Sequence, residues 1–133
     1  MTIMGIDAGE ARIGVAMGDD LLRIASPWQV VPAHPEEKTL NALKEIARTE
    51  RVEKIVVGVP RFPGHPEQQT KQEEIIRAWA ERLQAITNIP MIFVDETFSS
   101  QLAARWQQDR AQKGKRDDLA AVAILQTYFD RLG

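Results

Sequence analysis

The sequence predicts an α/β fold, a mixed five-stranded sheet flanked by helices. Three observations carry that prediction. The first thirty or so residues hold three strand-like runs with no helical segment between them. Two later runs, Lys54 to Gly58 and Met91 to Val94, are short and almost wholly apolar, as in strands buried on both faces. Helical apolar spacing follows the third strand and each of the later two. The order βββαβαβαα gives an antiparallel meander, then parallel strands added by right-handed crossovers.

The elements follow in turn. Thr2 to Ala8 reads as the first strand and Ile13 to Gly18 as the second, joined by a turn with Gly9 and Glu10. Ile13, Val15 and Met17 alternate with small Gly14 and Ala16, which suits a hairpin strand with one face covered. Arg23 to Val31 is a third strand that Pro27 restricts to an edge or bulged position. Glu36 to Arg51 is a helix with Leu40, Leu43, Ile46 and Ala47 on one side and two acids in its first turn. The run KIVVG ends in Gly58-Val59-Pro60 and a turn-rich loop to Pro66. A second helix runs from about Glu67 to Thr87, Pro66 suiting a first helical position, and its buried stripe is Ile75, Ile76, Trp79, Leu83 and Ile86. Asn88-Ile89-Pro90 stops it. Met91 to Val94 runs into Asp95-Glu96. Ser99 to about Gln112 reads as a further helix, Lys113 to Arg116 as a basic turn, and Asp117 to Leu132 as a last helix with a broad apolar surface.

A chain of 133 residues is expected to form one domain, 1–133, around one core. Net charge is −2, so no global basic field marks a nucleic-acid binder, although local patches suffice for one. Without cysteine there is no disulfide, thiol nucleophile or Cys-based zinc site. MTIMGID lacks the features of a signal peptide, and no apolar run approaches the roughly 20 residues of a membrane span. The expectation is a soluble cytoplasmic protein.

Asp7 closes the apolar run Ile3, Met4, Ile6 and has glycine two residues to each side. A buried, unpaired carboxylate costs several kcal/mol or takes up a proton. Asp7 is therefore either an exposed turn residue or part of a site. Asp95 and Glu96 close the last strand, and Asp117 and Asp118 open the last helix. Chemistry in open α/β sheets collects at the carboxyl ends of strands. Acids from three such ends would form an all-oxygen site suited to Mg²⁺ or Mn²⁺, and two such ions serve phosphodiester hydrolysis. Each acid also has an ordinary reading: Asp117 as a helix cap, Asp95-Glu96 as a solvated strand end, and Asp118 facing solvent or the helix dipole. Arg105, Arg110, Lys113, Lys115 and Arg116 precede Asp117; with Arg12 and Arg61 they form either a phosphate-binding patch or a solvated surface. His34 and His65 read as surface residues. Trp28, Trp79 and Trp106 read as core or core edge.

Four stretches, in order, resemble one family. IMGIDAGEARIGVA is similar to the opening strand pair of the YqgF/RuvX family, an RNase H-like group. IVVGVPRFPG resembles its central strand and Gly-x-Pro loop, VDETFSSQLA its Asp-Glu-Arg-hydrophobic-Ser/Thr motif, and GKRDDLAAVAILQTYF its C-terminal helix. The resemblance spans nearly the whole chain. It implies an RNase H-like fold and a metal-dependent nuclease. Members are described as Holliday junction resolvases and as nucleases that mature the 5′ end of pre-16S rRNA. By position, the family's acids fall on Asp7, Glu96 and Asp117. Arg12 would brace the site, while Arg61, Lys113, Lys115 and Arg116 would contact nucleic acid. Thr97 stands where the family has Arg, Glu10-Ala11 where it has Thr-Lys, and Arg61-Phe62-Pro63 in place of an Asn-containing loop. These departures remove two cations and add an acid, which weakens phosphate binding or alters metal preference.

The leading expectation is a nuclease on structured RNA, acting as monomer or homodimer. Resolution of branched DNA would require a dimer with two sites. An actin-like ATPase or sugar kinase requires two lobes, and the chain has room for one. A non-catalytic adaptor would keep the fold without needing the metal.

Overall fold

The computed structural model describes residues 1–61, 64–97 and 117–132, with residues 96, 97 and 117 defined by their backbone. The elements are β1 (Thr2–Ala8), β2 (Arg12–Asp19), β3 (Ile24–Pro32), α1 (Glu36–Thr49), β4 (Val52–Arg61), α2 (Pro66–Thr87), β5 (Met91–Thr97) and α3 (Asp117–Arg131). They form one five-stranded sheet in the order β3-β2-β1-β4-β5. β1, β2 and β3 pair antiparallel, while β4 joins β1 and β5 joins β4 in parallel. This is the expected mixed sheet, consistent with RNase H-like architecture. The helix expected over Ser99 to Gln112 and the basic turn from Lys113 to Arg116 lie outside the described residues.

β1 is central because nothing in its middle tolerates water: Ile3, Met4, Gly5 and Ile6 are all buried. β3 lies at the edge and is mostly exposed, as Pro27 predicts. Pairing jumps from Val15–Gln29 to Ala16–Pro27, which leaves Trp28 as a bulge residue. Trp28 is 46% exposed, outside the core or core edge expected of it, because the bulge sits on an edge strand paired on one side only. β4 is longer than expected. It continues through Val59, Pro60 and Arg61, which pair with Asp95, Glu96 and Thr97 of β5. Pro60 is tolerated because it lies beyond the last β1–β4 pair, Ile6–Val57.

α1 and α2 cover one face and α3 the other. Leu43 and Ala47 of α1, with Ile76, Trp79, Ala80 and Leu83 of α2, pack on Met4, Ile6, Ile13, Val15, Ile55, Val57 and Val59. The Thr39 hydroxyl donates to the Pro32 carbonyl at 2.5 Å, tying the start of α1 to the end of β3. Arg82 of α2 grips Glu36 of α1 through two hydrogen bonds of 2.9 and 2.8 Å. Ile75 is exposed rather than part of the α2 stripe, since its neighbour Ile76 takes the sheet-facing position and successive helical residues point about 100° apart. α2 ends at Asn88, which adopts the left-handed conformation suited to a helix C-terminus.

On the opposite face, Ala121, Ile124, Leu125 and Phe129 of α3 pack on Ile3, Ala16, Val56 and Val94. Leu119 lies off this stripe and is exposed. No described helix is long and apolar enough to cross a membrane.

Candidate active site

Strand alternation decides which face each acid takes. In β1, Met4 and Ile6 belong to the α1/α2 core, so Ile3, Gly5 and Asp7 form the series on the α3 side. Asp7 is half-buried at the carboxyl end of β1, opposite Gly14 of β2. β2 and β4 flank β1; Asp7 itself pairs with Gly14 of β2, one residue past the last β1–β4 pair. The turn after it is braced. Gly9 N–H donates to the Arg12 carbonyl at 3.1 Å, and a Cβ on Gly9 would lie 2.6 Å from that oxygen. Ala33 N–H donates to Ala11 O, and His34 Nε2 donates to the Glu10 carbonyl, both at 3.0 Å. His34 is thus an exposed residue that fastens the hairpin turn.

Arg12 opens β2 in phase with Gly14, Ala16 and Gly18, the α3-side series that also holds Asp7. Its position suits the bracing role expected for it. In β5, Ile92 and Val94 belong to the α3-side core, while Phe93 packs with the α1/α2 core. Glu96 continues the series of Ile92 and Val94 and pairs in register with Pro60; Asp95 continues that of Phe93. Asp95 therefore belongs to the α2 side of the sheet, which composition alone does not reveal.

Asp95 has a structural partner. The Arg61 guanidinium bonds both Asp95 and Glu73 of α2, the latter at 2.9 Å. Its hydrogen bond to Asp95 raises the Arg61 pKa, and both carboxylates favour the cation. Arg77 of α2 extends this group, lying 3.6 Å from Glu73 and stacking 4.4 Å above the Phe93 ring. Arg61 was expected to contact nucleic acid. It lies on the α2 side, away from Asp7, where its charge ties β4, β5 and α2 together. Lys113, Lys115 and Arg116 lie outside the described residues.

α3 reaches the site by very close approach. A Cβ on Gly5 would lie 2.7 Å from Leu125 Cβ and 3.0 Å from the Ala121 carbonyl. One on Gly58 would meet Ile124 Cδ1 at 2.3 Å, and one on Gly18 would meet Phe129 Cε2 at 2.7 Å. Gly5, which in the sequence reads as room for a ligand or another backbone, is room for a helix. Gly18 pairs with Ile3 near the start of β1, and Gly5 lies further along it. Phe129, then Leu125 and Ala121, therefore track β1 in reverse. α3 runs antiparallel to β1, and its first residue, Asp117, lies toward the end of the sheet where β1 ends in Asp7 and β5 in Glu96-Thr97.

Asp118, expected to face solvent or the helix dipole, is half-buried. Its Oδ1 is buried and, among the described residues, has no hydrogen-bond partner. It falls seven residues before Leu125 and three before Ala121, on the sheet-facing stripe. That spacing was visible in the sequence but carries meaning only once the packed face of α3 is known.

Among the described residues, no group of three His, Cys, Asp or Glu side chains converges as a metal site. The candidate donors nevertheless suit a hard divalent cation. Asp7, Glu96 and Asp117 are all carboxylates, and the orphaned Asp118 oxygen adds an acceptor at the same end of the sheet.

The family described as RuvX: Holliday junction resolvase matches residues 1–131. A protein of Methylobacillus flagellatus named "Putative pre-16S rRNA nuclease" is 37% identical over 135 residues, which cover 98% of this chain and 91% of that one. A protein of the same name from Moorella thermoacetica is 38% identical over 138 residues, covering 100% and 97% of the two chains. Among solved structures, T. thermophilus RuvC in complex with a Holliday junction substrate has a TM-score of 0.64 at 17% identity, covering 100% of this chain and 96% of that one. The fowlpox virus Holliday junction resolvase has a TM-score of 0.59 at 16% identity, covering both chains completely. At such identities these two structures speak for the fold alone. The chain belongs to the RuvX family, whose nuclease and resolvase character makes it a hydrolase-like enzyme.

Proposed function

We propose that this member of the RuvX family cleaves phosphodiester bonds in structured RNA, with the 5′ end of pre-16S rRNA as its substrate. The observation that carries the proposal is the placement of Asp7. A half-buried carboxylate sits on the α3 side of the central strand, at the end toward which α3 directs its acidic start. Family members at 34–38% identity along nearly their full length carry a pre-16S rRNA nuclease name, which favours RNA.

In this reading Asp7, Glu96 and Asp117 hold Mg²⁺ or Mn²⁺, which when bound polarises the phosphoryl oxygen and supplies an activated water. Asp7 contributes rigidity, because its pairing with Gly14 of β2 fixes the backbone that carries it. Arg12, in phase with it on β2, braces the site and offsets negative charge beside the phosphate. Lys113, Lys115 and Arg116 precede α3 in sequence and hold the nucleic-acid backbone. Arg61 is released from that role by its two carboxylate partners.

The test is a cleavage assay with purified protein on a precursor 16S rRNA fragment, single-stranded RNA, single-stranded DNA and a four-way junction, each with Mg²⁺ or Mn²⁺. The precursor RNA is expected to be cut. Asp7→Asn abolishes cutting, and Arg61→Ala retains it. Undiminished cleavage by Asp7→Asn would remove the central claim. The family's description as a Holliday junction resolvase supports a second reading, cleavage of branched DNA. Cutting of the junction in preference to RNA, by a dimer, would favour it.

A further inference from the structure

We infer that Asp118 is a further metal-ligating carboxylate of this site, on its β1 side. The inference rests on the metal-dependent reading above and adds a residue to it. Among the described residues, nothing hydrogen-bonds the buried Asp118 Oδ1. A buried, unsatisfied carboxylate oxygen destabilises a fold unless something charged or hydrogen-bonding meets it. The ordinary role of an acid in the first turn of a helix is to accept a bond from a free backbone N–H. Asp118 is the second residue of α3, yet this oxygen accepts none.

Helix geometry places it beside Asp7. The closest approach of α3 to β1 is at Gly5, between Ala121 and Leu125. From the middle of that contact back to Asp118 is five residues, about 7.5 Å along the helix. From Gly5 to Asp7 is two residues, about 6.8 Å along the strand. Because α3 runs antiparallel to β1, the two displacements point the same way and bring Asp118 to the level of Asp7. Sideways, Asp118 lies on the stripe of Leu125, which meets β1 at Gly5. A divalent cation held between the Asp118 and Asp7 carboxylates would offset their repulsion.

The experiment measures Mn²⁺ binding to the full chain by calorimetry, and thermal melting in EDTA and in Mn²⁺. It compares wild type with Asp118→Asn, Asp118→Ala, Asp118→Glu and Asp7→Asn. The expected result is that Asp118→Asn melts no lower than wild type in EDTA but binds Mn²⁺ at least about tenfold more weakly. Asp118→Glu restores part of that loss. Should the Asn variant not fold, the Ala variant is read in the same way. Unchanged Mn²⁺ affinity in both neutral variants, with affinity lost in Asp7→Asn, overturns the role of Asp118 and leaves the metal reading standing. Absence of Mn²⁺ binding by the wild type overturns both.

Discussion

The two faces of the sheet are built on opposite plans. The α1/α2 face is thick. Met4, Ile6, Val15, Ile55 and Val57 meet Leu43, Trp79 and Leu83, and the helices stand off on large side chains. The α3 face is thin. Gly5, Gly18 and Gly58 leave no room for even a Cβ, so α3 lies almost on the backbone of the sheet. The difference separates two tasks. Apolar bulk on one face supplies most of the stabilisation, because it removes the most area from water. Backbone contact on the other fixes where the start of α3 lies relative to Asp7. Large side chains rearrange to absorb an error, and a helix seated on glycine cannot. The candidate site sits on the face with the smaller positional tolerance.

Truncation on the thick face should have the largest effect on stability and little on chemistry. Leu83 is fully buried, and Leu83→Ala should lower unfolding free energy by about 2–5 kcal/mol in urea denaturation. Cleavage per folded molecule should stay near wild type. Loss of activity in molecules shown to be folded would break the division of tasks.

A methyl group on the thin face should reverse the pattern. Gly5→Ala brings its Cβ against Leu125 Cβ and the Ala121 carbonyl, neither of which moves without the helix. A cost of about 1–3 kcal/mol is expected, with a disproportionate fall in cleavage as α3 shifts. Gly58→Ala meets Cδ1 and Cγ1 of the buried Ile124 side chain and not the backbone of α3, so it should shift the helix less and lower cleavage less than Gly5→Ala. Equal losses from the two substitutions would show that helix position is not what the glycines protect.

The smallest effect belongs to the rim of the thick face. The bidentate bond from Arg82 holds the Glu36 carboxyl below its usual pKa. Its contribution is therefore fully present above the unfolded value of about 4.3 and is lost as pH falls through the lower folded value. Glu36 and Arg82 side chains are 39% and 49% exposed, so the contribution is under about 1 kcal/mol. Denaturation of wild type and Glu36→Gln from pH 7 to pH 3 should show a small difference that vanishes at the acid end. A difference that grows with acid would contradict the assignment.

Much of the architecture was legible in the chain. β1 matches its expected limits of Thr2 and Ala8, α2 begins at Pro66 as its proline requires, and Pro27 placed β3 at an edge. Periodicity and turn chemistry are local properties, and these elements follow from them. The exposure of Trp28, Ile75 and Leu119 was not legible, because apolarity states what a residue would bury and not whether a neighbour arrives to cover it. The acids show the same boundary. By its own residues Asp7 was a carboxylate out of place, and only the family resemblance told Glu96 from Asp95. Strand phase set Asp95 beside Arg61, on the side where Phe93 packs. The sequence determined which residues can ionise and which strand ends carry them. Tertiary structure alone decided that α3 comes down on glycine, turning its acidic start toward Asp7 and leaving the Asp118 oxygen without a hydrogen-bond partner, because that depends on contacts between segments more than a hundred residues apart.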